Sequence, residues 1–357
     1  MKTIITTTGT SLIGNVARHL KKEQKSVTDD ELRHIFEQLQ PAEASAETNS
    51  LLKIGTPEDE VVLLYTNTEL GERCAKQVEF YLKGQGWQNT RSRKLSLEQD
   101  EAQFERKGLR ELVDVLVDEI EKAERQKREV IINATGGFKA EIAYTTMVGM
   151  IFQVPVKYIY QFFNQPITFP ILPVTWNIDL LLEYENFFEW IDETYRSYAE
   201  VEQRLKGIPD SDRVRALILP PDDEGYVYLS PAGNILWKRV QKQKEAADLE
   251  LDPPASEVPP QDKISSSIQK VKHHYPDGTL QFALKLAELE PVEEIIGGHF
   301  EDTTLRRIKG AGEDGSIRLL WADNEKATNL TVRTTARGQA QTLRVCERLI
   351  RPLLDSM

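Results

Sequence analysis

The chain has 357 residues, 40% of them hydrophobic and 29% charged, the composition of an ordinary soluble protein with room for two or three domains. No apolar run approaches the roughly 18 residues of a membrane span, and the opening Met1-Lys2-Thr3-Ile4-Ile5-Thr6-Thr7 is too short and too β-like for a secretory signal. Two cysteines, Cys74 and Cys346, make no disulfide framework and point to a reducing cytoplasm. A net charge of −12 argues against a surface that binds nucleic acid all over, while leaving room for a local basic patch.

In chain order, strand-like runs at Thr3–Thr7, Glu60–Thr66, Arg91–Leu97, Glu129–Ala134, Val154–Tyr160 and Thr168–Val174 alternate with helix-like stretches. The latter are Leu12–Gln24, Asp29–Leu39, Gly71–Lys83, Glu105–Gln126 and Lys139–Phe152. Within Glu105–Gln126 the apolar residues Leu109, Leu112, Val113, Leu116 and Ile120 recur at helical spacing. The β-α-β order predicts a mostly parallel, doubly wound α/β sheet over residues 1–180 with right-handed crossovers. Two strand-to-helix loops stand out: Thr6-Thr7-Thr8-Gly9-Thr10-Ser11-Leu12 and Ile132-Asn133-Ala134-Thr135-Gly136-Gly137-Phe138-Lys139. Each offers free backbone N–H groups and a helix N-terminus, which suit an anion, usually a phosphate. Glycines permit close backbone approach, Thr10, Ser11 and Thr135 add hydroxyls, and Lys139 adds charge. Neither loop contains GxGxxG or a Walker A sequence, so ordinary dinucleotide binding or NTP hydrolysis is weakly supported.

Residues 181–244 read as a helical connector. It begins with the aromatic, acidic run Phe188–Lys206 and includes Gly225-Tyr226-Val227-Tyr228-Leu229-Ser230-Pro231, either a wing-like piece of a small helical domain or a spacer packed on the first domain. From Glu245 to Asp262 there are six acidic residues, four prolines and no Lys or Arg, a composition that cannot bury a core. It reads as a flexible linker or an acidic docking segment. Residues 263–357 then predict helices at Lys263–His273 and Thr279–Ile296, strands at Thr304–Ile308, Ser316–Trp321 and Leu330–Thr334, and a helix at Gly338–Leu354: a small α+β unit.

The first loop and Asn133-Ala134-Thr135-Gly136-Gly137-Phe138-Lys139 resemble those of the CARF domain, the CRISPR-associated Rossmann fold. The resemblance covers residues 1 to about 180. It implies a homodimer that binds one cyclic oligoadenylate across its two-fold axis, with cyclic tetra-adenylate the expected allosteric activator. Carried over by motif, Gly9, Thr10, Ser11, Thr135, Gly136, Gly137 and Lys139 contact the ring, with Tyr65-Thr66-Asn67-Thr68 near the same edge.

An effector should follow. No arginine stands at Arg-x4–6-His distance before His273, His274 or His299, and no Glu-x-Lys occurs after residue 200, so HEPN and restriction-type nucleases are disfavoured. The adjacent His273 and His274, without a cysteine pair, read as surface residues and not as metal ligands. Positive charge is the stronger signal. Between Thr303 and Arg351 ten basic residues face five acids, and Arg318 and Arg333 on neighbouring strands could converge with Lys309 and Arg337. Such a cluster suits phosphate recognition and a charged phosphorane.

Residues 263–357 resemble the RelE family of mRNA interferases, through Leu305-Arg306-Arg307-Ile308-Lys309-Gly310, Ser316-Ile317-Arg318-Leu319-Leu320-Trp321 and Arg337. The likeness implies metal-independent cleavage of mRNA on the ribosome with the RNA 2′-hydroxyl attacking. Arg318 and Arg337 would stabilise the phosphate, with Lys309 or Arg333 assisting proton transfer. No tyrosine follows Tyr275, so the family's late tyrosine is missing. The whole chain resembles CRISPR-associated mRNA interferases: a cytoplasmic, cyclic-oligoadenylate-activated, ribosome-dependent endoribonuclease of type III antiviral defence. Its acidic linker is free to dock a ribosomal protein or to act as a spacer. A ligand-responsive DNA-binding regulator is the alternative, resting on Lys238, Arg239, Lys242 and Lys244 after a wing-like Arg213–Val240.

Overall fold

The computed structural model describes residues 1–96, 103–172, 176–270 and 275–357. Leu97, Val174 and the His273-His274 pair lie outside the described residues. The chain forms two compact units. Unit 1 comprises Met1–Thr175, Tyr195–Gly207 and Arg215–Ile235; unit 2 comprises Trp176–Thr194, Ile208–Val214 and Leu236–Met357. The stretch 181–244 is therefore shared between them. No described helix is long and apolar enough to cross a membrane.

Unit 1 runs β1 (Lys2–Thr8), α1 (Ser11–Leu20), α2 (Asp29–Gln38), α3 (Ala46–Ile54), β2 (Glu60–Thr66), α4 (Glu69–Gly84), β3 (Thr90–Leu95), α5 (Leu109–Arg125), β4 (Glu129–Asn133), α6 (Lys139–Ile151), β5 (Val156–Tyr158) and β6 (Ile167–Phe169). The sheet order is β3-β2-β1-β4-β5-β6. The strands from β3 through β5 pair in parallel, and β6 closes the edge antiparallel to β5. Strand order reverses between β1 and β4, so their carboxyl ends flank the crevice where doubly wound sheets hold ligands. β2 and the Val130-Ile131-Ile132 run of β4 are near-continuously apolar, β1 is mostly threonine around Ile4 and Ile5, and all three are buried along nearly their whole length, as parallel strands between helices must be. The stripe Leu109, Leu112, Val113, Leu116 and Ile120 is buried throughout, fixing the inward face of α5.

Sequence periodicity gave no helix between Leu39 and Glu60, yet α3 forms there, started by Ser45, whose Oγ accepts from Thr48 N at 3.0 Å. It buries Glu47, Thr48, Asn49 and Ser50 together with Leu51 and Ile54. Hydrogen bonds add to the core packing of Leu51 and Ile54 in seating this helix, and the four consecutive buried polar residues are why a hydrophobic pattern did not reveal it. Later segments also join unit 1. β7 (Arg196–Ser197) pairs with β8 (Tyr226–Val227), and Asn234 Nδ2 donates to Asp114 Oδ1 on α5 at 3.0 Å.

Unit 2 begins with α7 (Asp179–Glu183) and α8 (Glu185–Glu193). Its sheet holds β9 (Val292–Glu301), β10 (Arg307–Ala311), β11 (Ser316–Ala322) and β12 (Ala327–Thr334), all antiparallel, in the order β10-β11-β12-β9. The helix expected over Thr279–Ile296 stops at Ala287, and β9 takes its place from Val292. Pro291 disfavours helix at the residue before it, and the β-branched Val292, Ile295 and Ile296 favour the strand that follows. β9 supplies a strand that the sequence reading lacked. Trp321 anchors the core, stacked on Phe282 with centroids 4.5 Å apart and seated over Gly278. The acidic, Pro-rich stretch runs along unit 2, where Ser256 N donates to Glu290 O at 2.7 Å and Arg344 Nε to Asp252 Oδ1 at 2.6 Å.

Candidate ligand cleft and basic sheet face

The loops that follow β1 and β4 meet over the reversal point of the unit 1 sheet. Thr7 Oγ1 donates to Gly136 O, and a Cβ on Gly9 would stand 3.0 Å from Gly137 N. Above them opens a cleft of about 360 Å³ lined by Thr8, Gly9, Thr10, Thr66, Thr68, Glu69, Leu70, Gly137 and Phe138. Three strand ends thus contribute, and Thr66 and Thr68 stand where the β2 edge was expected. Thr68 caps α4, accepting from Gly71 N at 3.0 Å. By contrast α1 carries no side-chain cap and no acid in its own first turn, and the carboxyl group at its start, that of Glu47, comes from α3.

The expected ligand residues divide by location. Gly9, Thr10 and Gly137 line the cleft. Lys139 is exposed on the first turn of α6. The other three point inward. Thr135 Oγ1 donates to Asn133 Oδ1 at 2.7 Å and accepts from Ile159 N at 3.1 Å, tying the loop to β4 and β5. Ser11 Oγ donates to Glu47 Oε2 at 2.9 Å and accepts from Ala46 N at 3.0 Å. Gly136 is buried beneath the cleft.

Glu47 is the residue the sequence did not announce. It is 1% exposed and takes Gly9 N–H on Oε1 at 2.9 Å as well as the Ser11 hydroxyl. Burial pushes its carboxyl above the ordinary range, against the downward pull of those two donors. A Cβ on Gly136 would lie 2.3 Å from Glu47 Oε1 and 2.7 Å from Thr7 O, so only glycine lets the loop close on this carboxylate. Gly137 takes φ +97°, and a Cβ there would meet Glu141 Oε2 at 2.2 Å. Glu141, 2% exposed, accepts from Phe138 N at 3.0 Å, its Oε1 has no partner, and burial raises its carboxyl to about 7. Thr8 Oγ1 is likewise buried and, among the described residues, unpartnered at the cleft wall. Glu47 touches Gly9 across 38 residues of chain, so nothing local marks it. Glu141 follows Phe138, which has no side-chain oxygen to cap α6, so the local sequence did not mark it either.

In unit 2 the basic residues fall on one sheet face. Ile308, Ile317, Leu319, Leu330 and Val332 point into the core, so Lys309, Arg318 and Arg333 take the opposite side. Arg318 opposes Thr331, and Arg333 opposes Ser316, which makes the two arginines diagonal neighbours. Lys309 occupies the register shift between Ile308 and Gly310. Each has a carboxylate: Lys309 Nζ to Glu301 Oε1 at 2.6 Å, Arg333 Nη1 to Glu294 Oε2 at 2.9 Å, and Arg318 Nη2 to Asp179 Oδ2. Arg337 is exposed at the start of α9 (Gly338–Val345), its backbone N–H bonded to Gln341 Oε1 at 2.8 Å. The basic residues offered for DNA are otherwise engaged. Lys238, Arg239, Lys242 and Lys244 are all half-buried, and Lys244 pairs with Glu185 and Glu347.

A mostly parallel sheet with a cleft over its reversal point makes unit 1 a Rossmann-like domain with a candidate ligand site. Residues 42–172 of it match the family model described as a CRISPR-associated protein (Cas_APE2256). Among solved structures, Enterococcus italicus Csm6 bound to cyclic hexa-2′-fluoro-hexa-dAMP aligns at 13% identity over 61% of this chain and 55% of that one, with a TM-score of 0.28. Can2 from Sulfobacillus thermosulfidooxidans in complex with cyclic tetra-adenylate aligns at 10% identity over 94% and 77%, with a TM-score of 0.28. Protein VC1899 from Vibrio cholerae gives 10%, 94% and 77%, with a TM-score of 0.24. The chain thus spans about half the Csm6 chain. The family match is in keeping with the CARF resemblance of the first domain.

Proposed function

We propose that this protein is a cyclic-oligoadenylate-responsive effector of type III CRISPR defence, a homodimer whose unit 1 senses the ring and whose unit 2 cleaves mRNA on the ribosome. The observation that carries the reading is the cleft at the β1/β4 reversal, floored by Gly9 and Gly137, in a segment matching a CRISPR-associated family. A ring of phosphates would meet there the start of α1 and the Thr10 hydroxyl, beside a Glu47 carboxyl whose burial favours its neutral form. Two-fold symmetry suits such a ring, because each subunit would offer the same half-site.

For unit 2 the support is the shared sheet face of Lys309, Arg318 and Arg333, with Arg337 exposed at the end of β12. In a RelE-like reaction the RNA 2′-oxygen forms a bond to phosphorus and the bond to the 5′-oxygen breaks. Arg318 and Arg337 stabilise the charge that builds on the phosphoryl oxygens, and Lys309 or Arg333 assists the proton. A sparse site is workable if the ribosome orients the substrate. Incubation with tri-, tetra- and hexa-adenylate rings in a translation extract, read by mRNA cleavage, tests the whole proposal. Cyclic tetra-adenylate is expected to activate, and translated mRNA to be cut in preference to naked RNA. Equal cleavage of protein-free RNA, or none with any ring, rejects it.

A further inference from the structure

The basic face of unit 2 is not open. α7 packs on β10 and brings two acids to it. Glu183, its last residue, holds Arg307 Nε at 2.7 Å, with the two side chains only 8% and 10% exposed. Asp179, its first, pairs with Arg318, which is 55% exposed. Beneath that pair lies Gly310, where a Cβ would stand 2.3 Å from Asp179 Oδ1 and 2.8 Å from Arg318 Nη2. A glycine in β10 thus makes the seat for an acid from another element.

The other carboxylates on this face, Glu294 and Glu301, belong to β9 and are fixed by the sheet itself. Asp179 and Glu183 alone among these partners come from outside it. A carboxylate on a guanidinium occupies the donors that would otherwise take a phosphate oxygen. We propose that α7 is an autoinhibitory element: Asp179 occupies Arg318 in the resting protein, and binding of the activator to unit 1 withdraws it, so that Arg318 can take a phosphate of the RNA. This rests on the ribonuclease reading of unit 2.

Two features suit the contact to release. Arg318 is largely open to water, where an ion pair is weak. Burial also raises the Asp179 carboxyl even beside Arg318, so desolvation offsets much of the attraction. The buried Glu183–Arg307 pair, with Arg307 over the Tyr184 ring at 5.3 Å, is the firmer end about which α7 would lift. The chain enters unit 2 at Trp176, and α7 is the first element it forms there. The chain crosses between the units again after Thr194, Gly207, Val214 and Ile235, so α7 is one of several covalent routes by which a change in unit 1 reaches unit 2.

The test uses the full chain, Asp179→Asn, and cyclic tetra-adenylate in two arms. In the first, cleavage of translated mRNA is compared with and without the ring, with melting temperature confirming the fold. Wild type should be silent without the ring, and Asp179→Asn should cleave without it at least fivefold faster than wild type. A variant as silent as wild type, while the ring activates wild type, overturns the proposal. The second arm needs no cleavage: phenylglyoxal labelling of Arg318, read by mass spectrometry. Labelling should rise severalfold when the ring is added to wild type, and be high without it in the variant. Labelling that the ring leaves unchanged overturns the proposal; labelling that rises while no RNA is cut supports α7 release and rejects the ribonuclease reading instead.

Discussion

Replacing Gly136 by alanine adds one methyl group at the most crowded point of the candidate sensor. The new Cβ would sit 2.3 Å from Glu47 Oε1 and 2.7 Å from Thr7 O, where ordinary contact begins at 3.4 Å. Thr7 O belongs to β1, locked between β2 and β4, and cannot retreat. Glu47 can move only by loosening its bond to Gly9 N–H, which lines the cleft. Overpacking of this kind costs about 1–3 kcal/mol, and a buried amide left without its acceptor adds roughly 1–3 kcal/mol. Alternatively the Gly136–Phe138 loop lifts by about an ångström, and the cleft changes shape. Either way the binding geometry is lost, and affinity for cyclic tetra-adenylate should fall by about tenfold to a hundredfold. Calorimetric titration measures this, with thermal unfolding alongside. Gly84→Ala is the matched control, since a Cβ at that helix end meets nothing within 4 Å; it should bind normally and melt no lower. If Gly136→Ala binds and melts like Gly84→Ala, the account of loops closed on Glu47 is wrong.

The remaining predictions concern single contacts. Arg318→Ala and Arg337→Ala should each lower activated cleavage by about a hundred- to a thousandfold, the usual cost of one transition-state donor, while calorimetry shows ring binding unchanged. Near-normal cleavage by both would reject their proposed roles. Thr8→Val removes a buried hydroxyl that has, among the described residues, no partner at the cleft wall. It should melt no lower than wild type and bind the ring about tenfold more weakly if that hydroxyl meets the ligand; unchanged affinity would show that it does not.

The sheet of unit 1 was legible because it rests on pattern. β-branched runs such as Glu60–Thr66 and the apolar stripe of α5 are local signals with one physical reading, and the structure follows them closely. The loops were legible as loops, through Gly9, Gly136 and Gly137. Their division into wall and support was not. Ser11 and Thr135 look like ligand hydroxyls in sequence, but Glu47 and Asn133 claim them, and those claims depend on how distant segments pack. α3 was missed for a related reason: four of the six residues it buries are polar. In unit 2, Pro291 and the β-branched residues after it did carry the turn from helix to strand, but an amphipathic spacing running through them concealed it. The convergence of Arg318 and Arg333 followed from strand alternation alone. Their carboxylate partners, set by register and by α7, did not.

The two buried carboxyl groups beneath the candidate cleft have a consequence that pH can expose. Glu141 stands at 4.5 when free and at about 7 in the folded chain, raised by burial against the one bond from Phe138 N–H. A carboxyl whose folded value is the higher binds its proton more tightly in the native state. Its contribution to stability is therefore fully present below about pH 4.5 and is lost as pH rises through about 7. Between about pH 5 and about pH 7.5 the loss amounts to roughly 2 kcal/mol from this group. Glutamine keeps an oxygen for Phe138 N–H but cannot ionise, so Glu141→Gln should flatten the pH dependence by that amount, whatever its absolute stability. Urea unfolding of wild type and variant at the two pH values measures the difference. A pH slope equal in the two proteins would mean that Glu141 is solvated in the native state, and that the wall between it and the cleft is open.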